Sequence, residues 1–374
     1  MKYVLGAVAL ALAAPVFAQS SVTVYGIVDL NGVYSKGAAT NVREGSGGLQ
    51  GSRIGFKGTE DLGGGVSANF VLEGGLNIDT GGSAQGGALF GRQAFGSLKT
   101  PEGTFSAGRQ YSSIYTITSD FSVFSNTNVG PTTALLGGFA GGYEPVQGGA
   151  ATQTLPASGS AVNGGPARVN NSFRYTSPTY SGFSASALYG AGEVTGGTNQ
   201  NRLWDGSLRY AGYGFDTMIS YVNDKAQGAT LATSTDVSTL TLAALYGWDA
   251  FHVEGGYMKV NDQRDGQGPT GSGFDGQGFW IGGDYRLGAN LFKLQFVQNK
   301  PEHISSSTTN AYGAGYQYDF SKRTALYTSL TRFQNGENAG KGGLGRYNQA
   351  VPAGLTAVGD NDITEFAIGV RHSF

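Results

Sequence analysis

Arg53, Arg92 and Arg168 recur in a common setting, each a few residues after a stretch rich in Gly, Ser, Thr or Asn and 7 to 10 residues before a tight-turn sequence. A guanidinium keeps its charge at any physiological pH, so three held at one height make a standing positive field. In a confined aqueous passage, such a set attracts anions and phosphates. Glu73 falls between Arg53 and Arg92 and offers these charges a competing use, ion pairing for stability. Asp120 and Glu144, in a long polar stretch, are acids expected to face the arginines from across a lumen. His252 lies by a turn sequence, His303 in a loop and His372 on an apolar face, so none suits a nucleophile–base pair. With no cysteine and no cluster of metal-ligand spacing, neither an enzyme, a metal site nor a cofactor is expected.

The elements that must carry these arginines are strands. Segments of about ten residues alternate between apolar and small or polar side chains, the pattern of a membrane barrel strand. In Arg53-Ile54-Gly55-Phe56-Lys57 the charges oppose Ile54 and Phe56; Phe183/Ala185/Ala187/Tyr189, Leu240/Leu242/Ala244/Tyr246 and Tyr312/Ala314/Tyr316/Tyr318 show the same period of two. The connections alternate in kind. Short ones carry turn chemistry, as in Asp61-Leu62-Gly63-Gly64-Gly65, Pro101-Glu102-Gly103 and Leu287-Gly288-Ala289-Asn290. Long ones, including 36 to 50, 112 to 167 and 335 to 360, are rich in Gly, Ser, Thr and Asn. Seven short and eight long connections join sixteen strands. The fold class expected is therefore all-β, a 16-stranded antiparallel transmembrane barrel with short periplasmic turns and long extracellular loops. At that size the barrel leaves an aqueous lumen.

Parity aims Arg53 and Arg168 inward, the latter together with Asn170, Ser172 and Arg174 and opposite Phe173 and Tyr175; Arg92 shares its parity with Phe90. Strands two apart are about 10 Å from each other, which predicts a row of arginines. Lys57, Glu73, Arg174, Arg209, Lys293 and Arg371 also have inward parity. Tyr189, Tyr221, Tyr246, Tyr257, Phe292, Tyr316 and Phe374 lie near strand ends on the apolar parity, where interfacial girdles form.

The two ends agree with this architecture. Met1-Lys2, the apolar run Val4 to Ala14 and Pro15-Val16-Phe17-Ala18-Gln19 read as a signal peptide at 1–18, followed by a barrel domain at 19–374. The last residues, Phe366 to Phe374, alternate strictly, so the chain finishes on a strand that needs a partner. Gly is 64 of 374 residues, but 12% aromatic and only 13% charged side chains argue against disorder. Without Lys2 the chain holds 23 basic and 26 acidic residues, which does not suit a nucleic-acid binder.

Six segments in order resemble the Gram-negative general porins, particularly the trimeric type of β-proteobacteria: Val22 to Asp29, Gly51 to Gly63, Phe90 to Gly96, Asn171 to Pro178, Tyr318 to Thr324 and Gly369 to Phe374. The resemblance implies a homotrimer and a third loop, 112–167, folded into the lumen as a constriction. It also implies that Arg53, Arg92 and Arg168 form the basic wall of that constriction, and that the barrel assembly machinery reads Phe374. Outer-membrane lipid, lipopolysaccharide and small ionic solutes are the remaining partners expected. Arg109 shares parity with Phe105 and Ala107; a charge facing lipid is costly, which predicts its burial at the trimer interface. The function so implied is passive diffusion of small hydrophilic solutes, with a lean to anions. An adhesin or structural barrel with a plugged lumen is the alternative.

Overall fold

A computed structural model describes residues 21–37, 40–127, 129–132, 167–193, 202–227, 234–262, 275–302, 305–337 and 362–374. The expected signal peptide, Glu144, His303 and most of the third loop lie outside the described residues. The strands are β1 (Ser21–Lys36), β2 (Thr40–Ser46), β3 (Arg53–Gly63), β4 (Val66–Asn77), β5 (Gly82–Ser83), β6 (Gln93–Thr100), β7 (Gly103–Tyr111), β8 (Arg168–Thr176) and β9 (Phe183–Gly190). They continue as β10 (Leu203–Gly212), β11 (Phe215–Gln227), β12 (Ser234–Trp248), β13 (Phe251–Asp262), β14 (Gly276–Leu287), β15 (Asn290–Pro301), β16 (Thr309–Asp319), β17 (Thr324–Asn335) and β18 (Ile363–Ser373). One helix, α1 (Ser113–Asp120), follows β7.

Every pairing is antiparallel, and β18 pairs with β1, from Ile27↔Ser373 to Lys36↔Thr364, so the sheet closes on itself. Beyond the ladder, Gly26 and Phe374 exchange backbone hydrogen bonds of 3.1 Å in both directions. Closure satisfies every edge, as a lipid environment demands. β5 is a two-residue pairing on β4, and β2 continues the line of β3 along β1, so the barrel has sixteen strands. The expected long loop 36–50 thus contains a strand, because Thr40 to Ser46 can extend the ladder with Leu30 to Lys36.

Short turns close the hairpins at one end. In the β10–β11 turn both Tyr213 (φ 54°) and Gly214 (φ 81°) adopt the left-handed conformation, the mirror-image turn that matches strand twist. Outward alternation is regular along β18, where Phe366, Ile368 and Val370 are exposed while Glu365 and Ala367 are buried. Near the short-turn end, aromatic rings run in contact from Phe215 through Tyr246, Trp248 and Phe251 to Tyr285, at centroid spacings of 4.4, 5.6, 5.6 and 4.3 Å. This is the girdle expected at a membrane interface.

The apolar core lies inside the barrel. Ser112 caps α1 by accepting from Tyr115 N at 3.2 Å. Ile114, Ile117 and Phe121 are fully buried against inward residues of β9 to β14, among them Leu188, Val222, Met258 and Trp280. The indole Nε1 of Trp280 donates to Phe121 O at 2.6 Å. Further along, Gln295 donates to Ser122 Oγ at 2.9 Å and accepts from Thr132 Oγ1 at 2.9 Å, and Val129 packs beside Tyr327. The described residues between 112 and 132 of the third loop therefore run along the inner wall from β9 to β17.

A second internal contact holds the break between β2 and β3. The buried carboxylate of Asp29 accepts from the backbone N–H groups of Gly48, Leu49 and Gln50 at 3.0, 2.8 and 2.8 Å. It also accepts from Tyr327 Oη at 2.6 Å. Asp29→Ala leaves four donors without their acceptor, and each unsatisfied buried group costs about 1–3 kcal/mol. The variant is expected to unfold at clearly lower temperature in a gel-mobility melting assay, and Asp29→Asn to recover part of the loss.

Candidate functional site

Arg53 opens β3, Arg92 precedes β6 and Arg168 opens β8, so all three stand where a long connection hands over to a strand. Their side chains converge on Glu73 and two tyrosines. Arg92 Nε lies 2.7 Å from Glu73 Oε1, and Arg53 Nη1 lies 3.9 Å from Glu73 Oε2. Glu73 also accepts from Tyr25 Oη at 3.0 Å and Tyr111 Oη at 3.1 Å. Tyr111 and Tyr115 stack with centroids 4.1 Å apart and planes 8° from parallel. The guanidinium of Arg168 lies over both rings, at 5.2 and 5.4 Å. That of Arg92 lies 5.8 Å from the Tyr111 ring, and its Nη2 reaches Tyr115 Oη at 3.5 Å.

Three cations thus gather beside one carboxylate, which pairs with Arg92 and Arg53 and not with Arg168, and this leaves a local excess of two positive charges. Among the described residues no acid lies within ion-pair distance of Arg168, and its Nε is buried without a hydrogen-bond partner. Aromatic faces substitute for a counter-ion there, since the ring quadrupole attracts a cation. Tyr115 registers the resulting field. Burial works against its phenolate, but Arg92, Arg168 and Arg53 outweigh that and hold its pKa below the ordinary tyrosine value. Exposure is uneven: Arg92 and Arg168 are buried at 4% and 6%, whereas the Arg53 side chain keeps 18% and is the most accessible of the three.

The expected row is therefore a cluster. Arg92 reaches back to Glu73 on the neighbouring strand, and Tyr115 of α1 draws Arg168 inward, so side-chain length overcomes strand spacing. The expected loop acid also sits elsewhere. Asp120 lies 2.8 Å from Arg209 Nη1, and Arg209 is held from its other side by Asp216 at 2.5 Å, with the Phe121 ring 5.3 Å away. Asp120 fastens the end of α1 to the wall instead of facing the arginines. On the strands opposite β6 in the sixteen-strand order, acids come from the wall itself: Glu254 is buried on β13, and Asp284 on β14 holds His252 Nδ1 at 3.0 Å. Lys293 stands over Phe124 at 5.8 Å on that side, while Lys57 lies over Tyr25 at 5.3 Å on the arginine side. Arg174 donates to Tyr111 O, and Arg371 pairs in register with Asp29 on the closing seam.

Period-two counting fails at one place. β7 and β8 carry a register shift between Gly108 and Gln110, and Asn171 has a positive φ of 46°. A Cβ on Gly108 would lie 2.2 Å from Ala94 O, so the bulge needs glycine. Val169, not Asn170, consequently joins the internal apolar core, and Asn170 instead accepts from Arg109, which also donates to Gly91 O at 2.8 Å. The aromatic half of the cluster was not foreseen. Tyr111 sits beyond the bulge, and Tyr115 is brought to it by a capped helix whose Ser112 and Ile114/Ile117 spacing are its only sequence signals.

The family model for Gram-negative porins matches residues 6–339. Outer membrane porin protein 32 of Delftia acidovorans is 31% identical over 391 residues, covering 100% of this chain and 99% of that protein. An outer membrane porin protein of Bordetella pertussis is 30% identical, covering 96% of this chain and 95% of that protein. Among solved structures, an anion-selective porin from Comamonas acidovorans superposes with a TM-score of 0.75 at 27% identity, covering 95% of this chain and 100% of that one.

Glu73→Gln keeps the shape of the hub and removes the charge that compensates the buried guanidinium of Arg92 and the half-buried one of Arg53. Breaking a buried pair from one side costs about 3–5 kcal/mol. The variant is expected to melt at lower temperature than the parent barrel, whereas an Arg53→Gln change, at the most exposed of the three cations, costs less.

Proposed function

The chain is a member of the Gram-negative porin family, a channel of the outer membrane, and from that premise we propose that it conducts small hydrophilic solutes passively with a preference for anions. The observation that carries the preference is the excess of positive charge where Arg53, Arg92 and Arg168 gather round the single carboxylate of Glu73. In a water-filled passage with low-dielectric walls, such a fixed charge concentrates anions and repels cations. The anion selectivity of the Comamonas relative agrees with this reading. Passive permeation, not catalysis, is the proposed activity, and the third loop 112–167 is its constriction.

The remaining assignments belong to the same proposal. The protein is exported on residues 1–18 and assembles as a homotrimer, with Arg109 at the contact between copies; Phe105, four residues before it in the same strand, is exposed. Phe374 serves as the assembly signal; its backbone hydrogen bonds with Gly26, which extend the β1–β18 seam, support this.

Reversal potential under a salt gradient in a planar bilayer tests the preference. The parent channel is expected to show anion selectivity, and joint replacement of Arg53, Arg92 and Arg168 by Ala to move the reversal potential toward or past zero. Glu73→Gln, if it folds, moves it the opposite way. A parent channel without anion preference, or a triple variant indistinguishable from it, overturns the proposal.

A further inference from the structure

The arginine cluster depends on where α1 is placed, because Tyr115, in its first turn, supplies one of the two ring faces over which Arg168 lies. Ile114 and Ile117 bury the helix against apolar side chains of the wall. Apolar contact is non-directional, so by itself it leaves a short helix free to slide or turn.

Directional contacts to β10 and β11 remove that freedom. The backbone N–H of Ser113 donates to Asp205 Oδ2 at 2.7 Å, and Ser113 Oγ lies 2.6 Å from Ser220 Oγ. The first N–H groups of a helix find no partner within it, and Asp205 satisfies one of them. Four residues further along the same face of β10, Arg209 holds Asp120 at the other end of α1. Four strand residues span about 13 Å, and a helix of this length about 12 Å, so one strand face meets both helix ends. The signs also fit the helix dipole, with the acid at the N-terminus and the cation by the last turn.

Asp205 reaches the second ring as well. Among the described residues Arg174 is the charge that acts on it, and Arg174 donates to Tyr111 O. One carboxylate therefore stands behind both members of the stacked pair, through Ser113 for Tyr115 and through Arg174 for Tyr111. Its cross-strand neighbours Leu188 and Val222 are buried and apolar, and at 5% exposure it is out of reach of passing ions.

We propose that Asp205 is a positioning residue for anion selectivity: by holding Ser113 it sets Tyr115 against Arg168 and Arg92, and so fixes their positive charge at one place on the wall. The inference rests on the anion preference proposed above and adds the residue that sustains it from behind. Without the contact the first turn of α1 keeps only its apolar packing and the Ser220 hydroxyl. Tyr115 then leaves Arg168, whose charge follows water away from the passage. An acid acting directly on ions opposes anion preference; an acid acting through α1 supports it.

Ser113→Pro tests this with every charge left in place. It removes the N–H that Asp205 accepts, proline suits the first position of a helix, and Ser112 before it is already extended (φ −74°, ψ 164°). Reversal potentials of the full barrel under a salt gradient are expected to move toward zero in Ser113→Pro and in Asp205→Ala, and Asp205→Asn, which keeps an acceptor, to recover most of the parental value. A heat-modified gel shift confirms that each barrel is closed. An Asp205→Ala channel more anion-selective than the parent, an unchanged Ser113→Pro channel, or an Asp205→Asn channel no better than Asp205→Ala overturns the proposal. A second reading needs no current: ultraviolet titration of phenolate, taken as the difference between each protein and its Tyr115→Phe counterpart. The arginines hold the Tyr115 pKa below the ordinary value in the parent, and it is expected to rise back toward that value in Ser113→Pro. A parent without anion preference defeats the channel reading, while an unmoved titration defeats the positioning by Asp205.

Discussion

A backbone in hydrocarbon has no water to turn to, so each N–H and C=O of the spanning segments must find its partner in the sheet. The seam between β1 and β18 is where this requirement is met last along the chain, through ten paired positions and the mutual hydrogen bonds of Gly26 and Phe374. Everything inside the barrel presupposes that closure. α1 can bury Ile114 and Ile117 only because strands surround it, and the arginine cluster keeps its geometry only because β3, β6 and β8 are fixed relative to one another.

The lumen is organised as an asymmetric filling. The described part of the third loop covers the wall from β9 to β17 mainly with apolar and hydroxyl contacts, while the arginine cluster stands on β3, β4 and β8 and just before β6, with Glu254, Asp284 and Lys293 across from it. Burial and aromatic stacking stiffen the arginines. Arg92 is pinned between Glu73 and the tyrosine pair, so its charge is fixed in space while that of Arg53 remains nearer to water. Preorganised charge of this kind acts on a passing ion without the wall having to rearrange.

Much of this was legible in the residues. The sixteen strands follow from period-two alternation and turn chemistry, and the inward set Arg53, Glu73 and Arg371 follows from parity within uninterrupted strands. Legibility stopped at three physical causes. Bulges at Gly108 and Asn171 shift parity by one, which moved Val169 inward and Asn170 to Arg109. Long side chains bridge strands, so Arg92 meets Glu73 and a row contracts to a cluster. And a helix folded into the lumen brings residues together by packing, which no strand pattern encodes; Asp120 was drawn to Arg209, and Tyr115 to Tyr111, in this way.

Asp29 joins parts of the chain that are made far apart in time. Its carboxylate gathers the Gly48–Gln50 backbone close by in sequence and the Tyr327 hydroxyl 298 residues away. Contacts of such high order form late, since a long loop must close before they are rewarded. The hub is thus incomplete until β17 has docked beside the seam, and its completion couples the order of the 47–52 break to the arrival of the C-terminal strands. The N-terminal hairpin reaches its final rigidity only as a property of the finished cylinder.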